Sequence, residues 1–295
     1  MMRVIVPTEK FHSEELSPGV KLERFYPGGK NGPNGECLFN TLGGQGWTDS
    51  LLVGDKDNDF QMLVPDIRLP ANQLWPLHWH DCWTLVVIVE GQCLIGDWWM
   101  QPGDVFITEP SLEYGPLLIG PQGCRLFEIF AKAHLSPGGY APEYRDHPTL
   151  EGTKGKVFVE RSPLNKRNEG RQTLSCDGVA GMTKTRLHAD ALWDLGDSDD
   201  PDRSIVKDTR LAAKERLASQ RYQDWHAILV LSGTVQIDGR TLSKDDYLLM
   251  QPNSQRAALV AGAEGVQLLE VSRTARNAIK QKAVGSIAVN SRGAS

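Results

Sequence analysis

The run TLVVIVEGQCLIG at residues 84–96 and the run HAILVLSGTVQIDG at residues 226–239 decide how this chain is read. Each is a strand-like apolar stretch bounded by Gly, Pro, Asn or Asp. Beyond the first lie DVFITEP (104–110) and CRLFEIFA (124–131), and beyond the second lie DYLLMQP (246–252) and VQLLEVS (266–272). The two series superpose at one offset. Gly91 and Gly233 are 142 residues apart, and the same shift pairs Asp66 with Asp208, Arg68 with Arg210, Leu69 with Leu211 and Asp104 with Asp246. Without any insertion it also pairs Pro110 with Pro252, Gly120 with Gly262, Gly123 with Gly265, Leu126 with Leu268 and Glu128 with Glu270. Self-similarity at a fixed period over most of a chain predicts a tandem duplication of one unit. Helical periodicity is scarce, so that unit is expected to be all-β.

The 295 residues suit two domains of ordinary size, each able to bury a core. Apolar residues make up 40% and charged residues 23%, with 29 Gly and 17 Pro, a balance that fits a turn-rich β protein. The 32 basic and 37 acidic residues are spread along the chain and leave a net charge of -5, with no basic stripe to neutralise phosphates. Nucleic acid is therefore not an expected partner. The start, MMRVIVPTEKFHSEEL, reaches charges before any signal-like apolar run, and no stretch approaches the span of a bilayer, so a cytoplasmic protein without membrane contact is expected. Cys37, Cys82, Cys93, Cys124 and Cys176 are odd in number and show no CxxC spacing, which predicts free, mostly buried thiols.

The boundary between the units is placed in PGGYAPEYRDHPTLEGTKGK (137–156), where Pro, Gly and charge replace apolar alternation. That gives a first unit over residues 1–150 and a second over 151–295, with a loose or docked tail from about Ala275.

The sharpest chemical signal is PLHWHDCWTLVVIVEG, where His78 and His80 stand two apart at the start of an apolar strand. Strand side chains alternate faces, so both imidazoles point the same way, about 7 Å apart along the chain. They can converge on one metal ion, or they can be a metal-free core pair.

This run, followed by MQPGDVFITEP, resembles the first and second motifs of the cupin superfamily, whose usual pattern is HxHxxxE, six residues, Gly, then PGD and a later His. The match rests on His78, His80, Gly91, Pro102, Gly103 and Asp104, and extends weakly over the second unit. The resemblance implies two tandem cupin barrels of the jelly-roll kind. It also implies a metal ion in the first, with Fe(II) preferred and Mn, Ni, Zn or Cu as alternatives. Two departures bear on the ligand set. Thr84 stands where the pattern has Glu, and counting from Gly103 to the place of the later His lands on Tyr114, with Glu113 one residue earlier. If the turn EPSLEYG is one residue shorter than usual, Glu113 points inward and completes a two-histidine, one-carboxylate face with His78 and His80. If the standard count holds, Tyr114 enters the site as a ligand or as acid or base. The first assignment is preferred; His134 is a further inward candidate.

In the second unit the shift takes His78 to Gln220, His80 to Tyr222, Thr84 to His226, Glu113 to Gln255 and Tyr114 to Arg256. A lone His226 cannot replace a cluster, so that barrel is expected to lack metal. Trp79 and Trp83 alternate out of phase with the histidines and should pack against a neighbouring sheet or subunit, which leaves room for a homo-oligomer. Trp75 and Trp98, with Thr84, are candidates for a substrate pocket. The expected activity is that of a cupin-type Fe(II) dioxygenase acting on a small aromatic or enolisable substrate. A cupin isomerase, lyase or decarboxylase, or a non-enzymatic small-molecule-binding bicupin, is the alternative.

Overall fold

A computed structural model describes residues 12–25, 47–55, 61–75, 77–131, 176–196 and 203–273. Every regular element among them is a strand. The chain runs β1 (Ser13–Ser17), β2 (Val20–Arg24), β3 (Trp47–Val53), β4 (Met62–Leu69), β5 (Leu74–Trp75), β6 (Thr84–Ile95), β7 (Trp98–Met100), β8 (Asp104–Thr108) and β9 (Leu117–Phe130). It continues through β10 (Met182–Arg186), β11 (Leu192–Leu195), β12 (Ser204–Leu211), β13 (Arg216–Leu217), β14 (Gln220–Arg221) and β15 (His226–Ile237). The last strands are β16 (Arg240–Ser243), β17 (Asp246–Met250), β18 (Gln255–Arg256) and β19 (Leu259–Arg273). One large sheet has the order β10-β8-β6-β9-β4-β3, with β5 on β9 and β7 on β6. The other has the order β1-β2-β17-β15-β19-β12-β11, with β13 on β19 and β16 on β15.

The repeat of 142 is realised strand by strand: β4, β5, β6 and β8 shift onto β12, β13, β15 and β17. Even the isolated bridge between His78 and Tyr114 has its counterpart in the pairing of Gln220 with Arg256. The apolar runs are nearly continuous because both faces of each central strand are buried. On β6, Val86 and Ile88 face the interior of the first barrel with Phe106 and Leu126. The alternate residues Leu85 and Val87 join Phe127, Ile129, Leu229, Leu269 and Val271 in a core between the two sheets. Trp83 packs on that inter-sheet core, the neighbouring-sheet role expected for it. Ile228, Val230, Leu248 and Leu268 fill the second barrel.

Gly91 and Gly233 explain why each long strand bends where it does. Both have positive φ, 65° and 74°, and both sit at a register shift against the return strand. A Cβ would stand 2.0 Å from the Gly123 carbonyl oxygen at Gly91, and 2.2 Å from that of Gly265 at Gly233. Only glycine allows this approach.

The sheets do not divide at residue 150. β2 pairs with β17 and so belongs to the sheet of the second unit, whereas β10 pairs with β8 and belongs to that of the first. Each exchanged strand ends on an arginine that meets an aspartate at equivalent positions: Arg24 Nη2 donates to Asp246 Oδ2 at 3.0 Å, and Arg186 Nη1 lies 3.1 Å from Asp104 Oδ1. The segment 137–156, His134 and the tail from Ala275 lie outside the described residues.

Candidate metal centre

His78 enters the first barrel on a single bridge. Its N–H donates to the Tyr114 carbonyl at 3.1 Å and its carbonyl accepts from the Tyr114 N–H at 2.8 Å. Directly opposed residues share a face, so the Tyr114 ring comes in beside the imidazole, with centroids 4.5 Å apart. His80 follows on the same side, its ring 5.2 Å from that of His78, and its carbonyl accepts from the Ser111 N–H at 2.6 Å. Phe130 closes over His80 at 4.8 Å, and Phe106 backs Tyr114 at 5.0 Å.

The carboxylate that joins the histidines is Glu128. Ligand atoms of His78, His80 and Glu128 all lie within 4.8 Å of one another, the one group among the described residues with the spacing to hold a metal ion. Glu128 stands near the end of β9 opposite Val86, an inward position of β6, and between the apolar residues Phe127 and Ile129. Tyr114 Oη donates to its Oε1 at 3.3 Å. Glu113, the carboxylate expected from the sequence, is buried but lies outside this group. The bridge between His78 and Tyr114 is the register in which the Tyr114 ring comes in beside the imidazole.

The donor set suits a cation. Both ring nitrogens of His80 are buried and have no hydrogen-bond partner, although such atoms are paired in the great majority of folded proteins. Burial first, and the adjacent His78 second, push the His80 pKa well below its ordinary value, which keeps the ring in the neutral form that ligates. Burial pushes Glu128 up to about 7 against the hydrogen bond from Tyr114. Among the described residues no positive side chain is placed against that carboxylate, which is the place a metal ion would take.

The pocket candidates divide. The Trp75 ring lies 6.3 Å from that of His78 and packs on the first-barrel core. Thr84 is fully buried and donates to the Cys82 carbonyl at 3.3 Å. Trp98 packs on the first-barrel core with its ring 6.1 Å from that of Phe106, and also lines an outer groove of about 1040 Å³ beside β10.

The second barrel carries a different polar cluster at the equivalent place. His226 Nε2 lies 3.1 Å from Glu270 Oε2, and Thr209 Oγ1 donates to Oε1 of the same carboxylate. Tyr222 stacks on His226 at 4.4 Å, and Arg256, fully buried, donates from Nε to Tyr222 Oη at 3.0 Å. Glu270 is the counterpart of Glu128, yet its ionisation is opposite. Burial pushes it up, but His226, Thr209 and Lys207 outweigh burial and hold it at about 2. Cys82, Cys93, Cys124 and Cys176 are buried, and none of them is in a disulfide; Cys37 lies outside the described residues. No helix of the described residues is long and apolar enough to cross a membrane.

No protein-family profile matches the sequence. No curated protein matches it either. Solved structures do. A candidate dioxygenase from Nostoc punctiforme PCC 73102 superposes with a TM-score of 0.51 at 12% identity, over 89% of this chain and 85% of that one. Oxalate decarboxylase from Bacillus subtilis gives a TM-score of 0.48 at 13% identity, over 77% of this chain and 72% of that one. A bacterial pirin from Escherichia coli, in complex with nickel(II), gives 0.46 at 12% identity, over 90% and 95%. At these identities the likeness concerns the fold, which is the cupin fold in two tandem copies.

Proposed function

We propose that this chain is a metal-dependent cupin enzyme whose first barrel holds one divalent ion on His78, His80 and Glu128. The observation that carries the reading is the convergence of two imidazoles and a carboxylate in a buried pocket where neither His80 nitrogen has a protein partner. Two histidines and one carboxylate leave open positions and suit Fe(II), while Mn, Ni, Zn and Cu are compatible with the same donors. When bound, Fe(II) would supply the activation of O₂ beside a small aromatic or enolisable substrate, and the activity proposed is a dioxygenase. The likeness to the candidate dioxygenase supports the choice.

The chain's own residues do the rest. Tyr114 orients Glu128 through its hydroxyl and is placed to hold or pass a proton at a substrate oxygen. Phe106, Phe130 and Leu126 exclude water from the same space. The buried phenol next to a carboxylate equally fits a cupin isomerase, lyase or decarboxylase that uses the ion as a Lewis acid, which is the second reading. A non-enzymatic binding protein would hold a ligand there without turnover. The test is anaerobic reconstitution with Fe(II), then O₂ uptake against catechols, hydroxylated aromatic acids and diketones. Oxygen consumption coupled to one class is expected; turnover at full rate without oxygen would replace the dioxygenase with the second reading.

A further inference from the structure

The outer face of the first barrel carries an apolar row that its own repeat lacks. Four strands contribute directly opposed residues: Leu74 pairs with Leu118, Leu118 with Leu94, and Leu94 with Trp99. Directly opposed residues lie on one side of a sheet, so these side chains stand together. Trp99 is 52% exposed and Leu118 40%, two of the three large apolar residues exposed among those described. The shift of 142 converts the row to Arg216, Val260, Gln236 and Thr241, paired in the same register. The fold therefore does not require an apolar row here.

The surroundings change in the same sense. Beside the row, Gln92 lies over Gly120, Asn72 and Gln73 lead into β5, and Gln122 lies further along β9. Their counterparts are Thr234 over Gly262, with Lys214, Glu215 and Glu264. Trp98, next to the row, corresponds to Arg240, which pairs with Glu14 of β1. Beyond Trp99, Lys184 donates to the Trp99 carbonyl at 2.6 Å, and Lys184 and Arg186 share the single carboxylate of Asp104 at 3.8 and 3.1 Å; Asp177 and His188 line the same groove. One barrel thus presents a charged outer face and the other an apolar centre with amides along one side and a mixed-charge cluster beyond Trp99.

We propose that this first-barrel face is an interface between two copies of the chain. Charge selects the occupant. A strongly charged partner would find little complementary charge around the row, whereas a second copy in a chain of net charge -5 can approach only where like charges are few. A two-fold axis through the middle of the row would set Trp99 of one copy over Leu74 of the other, with Leu94 and Leu118 of both at the centre, a large residue meeting a smaller one at each end. Charge depletion at the centre, an aromatic anchor and a polar margin are the composition of a protein interface.

Sedimentation velocity on the full chain across the micromolar range tests this, because it reads mass and not metal. A dimer is expected. Trp99→Lys and Leu118→Glu should give monomers with unchanged circular dichroism and metal content, and the milder Trp99→Gln should raise the dissociation constant about tenfold or more. Thr241→Lys and Val260→Glu, on the equivalent face of the other barrel, should leave the dimer intact. A wild-type chain that stays monomeric, whether the row is open to hydrogen exchange or shielded by another segment of the same chain, would overturn the proposal. A dimer that survives both first-barrel substitutions would overturn it equally.

Discussion

Glu128 and Glu270 occupy one position of one fold and carry opposite chemistry. Glu270 is held ionised against burial by His226, Thr209 and Lys207, while burial raises Glu128 to about 7 against the hydrogen bond from Tyr114. Different outcomes of substitution follow. Glu128→Gln should reduce metal content severely and Glu113→Ala should leave it near one ion per chain, as read by elemental analysis of protein purified without added metal. His78→Ala with His80→Ala should abolish it, and Tyr114→Phe should keep the metal while slowing turnover by about 10²- to 10⁴-fold if the phenol moves a proton. Retained metal in Glu128→Gln with loss in Glu113→Ala would show that the turn places the other carboxylate. Glu270 predicts a pH effect instead. Its folded pKa, about 2, lies below its ordinary 4.5, so its contribution is complete above pH 4.5 and is lost as pH falls toward 2. The contribution is about 3 kcal/mol, since each tenfold change in proton affinity corresponds to about 1.4 kcal/mol. Acid melts of Glu270→Gln should be flatter than wild type in that window; parallel curves would show that the His226 pair does not hold the carboxylate.

At the scale of the strand, the bends of β6 and β15 depend on glycine for two separable reasons. Gly91 has both a positive φ and a carbonyl oxygen 2.0 Å from where its Cβ would be, so Gly91→Ala must push β6 and β9 apart. Gly239 has φ 76° but nothing within 4 Å of that position. Gly239→Ala should therefore cost about 1 kcal/mol from the backbone alone. Gly91→Ala should cost about 3 kcal/mol, the scale of combined strain and repacking. Urea melts read the difference, and equal costs would mean that the close approach relaxes freely. The same strands show why Glu128 was half legible. It is an acidic residue flanked by Phe127 and Ile129 in CRLFEIFA, and it is matched by Glu270 in the repeat. Its meaning depends on β9 lying beside β6, which alternation along one strand does not state.

For the whole molecule, the exchanged strands make the two barrels one folding unit. β2 completes the sheet of the second, β10 that of the first, and Leu85, Val87, Leu229 and Leu269 lie between them. Arg125 links Asp66 on its own sheet, at 2.8 Å, with Asp245 on the other, and Lys244 reaches back to Glu90. A fragment of residues 1–150 would lack β10 and expose the inter-sheet core, so it should fail to fold as a discrete domain. The intact chain should unfold in one transition by both near-UV and far-UV circular dichroism. A fragment with a dispersed amide spectrum, or two separated transitions, would show that the exchange is dispensable.

The sequence by itself determined the duplication, the strand-like runs, the equivalence of Gly91 with Gly233 and the spacing of His78 and His80, because these are carried by local composition and a fixed spacing. It also left a choice at the turn before Tyr114, where one residue of register decides which side chain faces in. Only the tertiary structure set the Tyr114 ring beside His78, brought Glu128 within reach of the histidines and sent β2 and β10 to each other's sheets. The apolar row from Leu74 to Trp99 likewise exists only once four strands are set side by side. The physical reason is common to all of these. Periodicity fixes which face a side chain takes within its own strand, whereas its neighbours across the sheet are set by pairing between segments far apart in the chain, which local pattern does not encode.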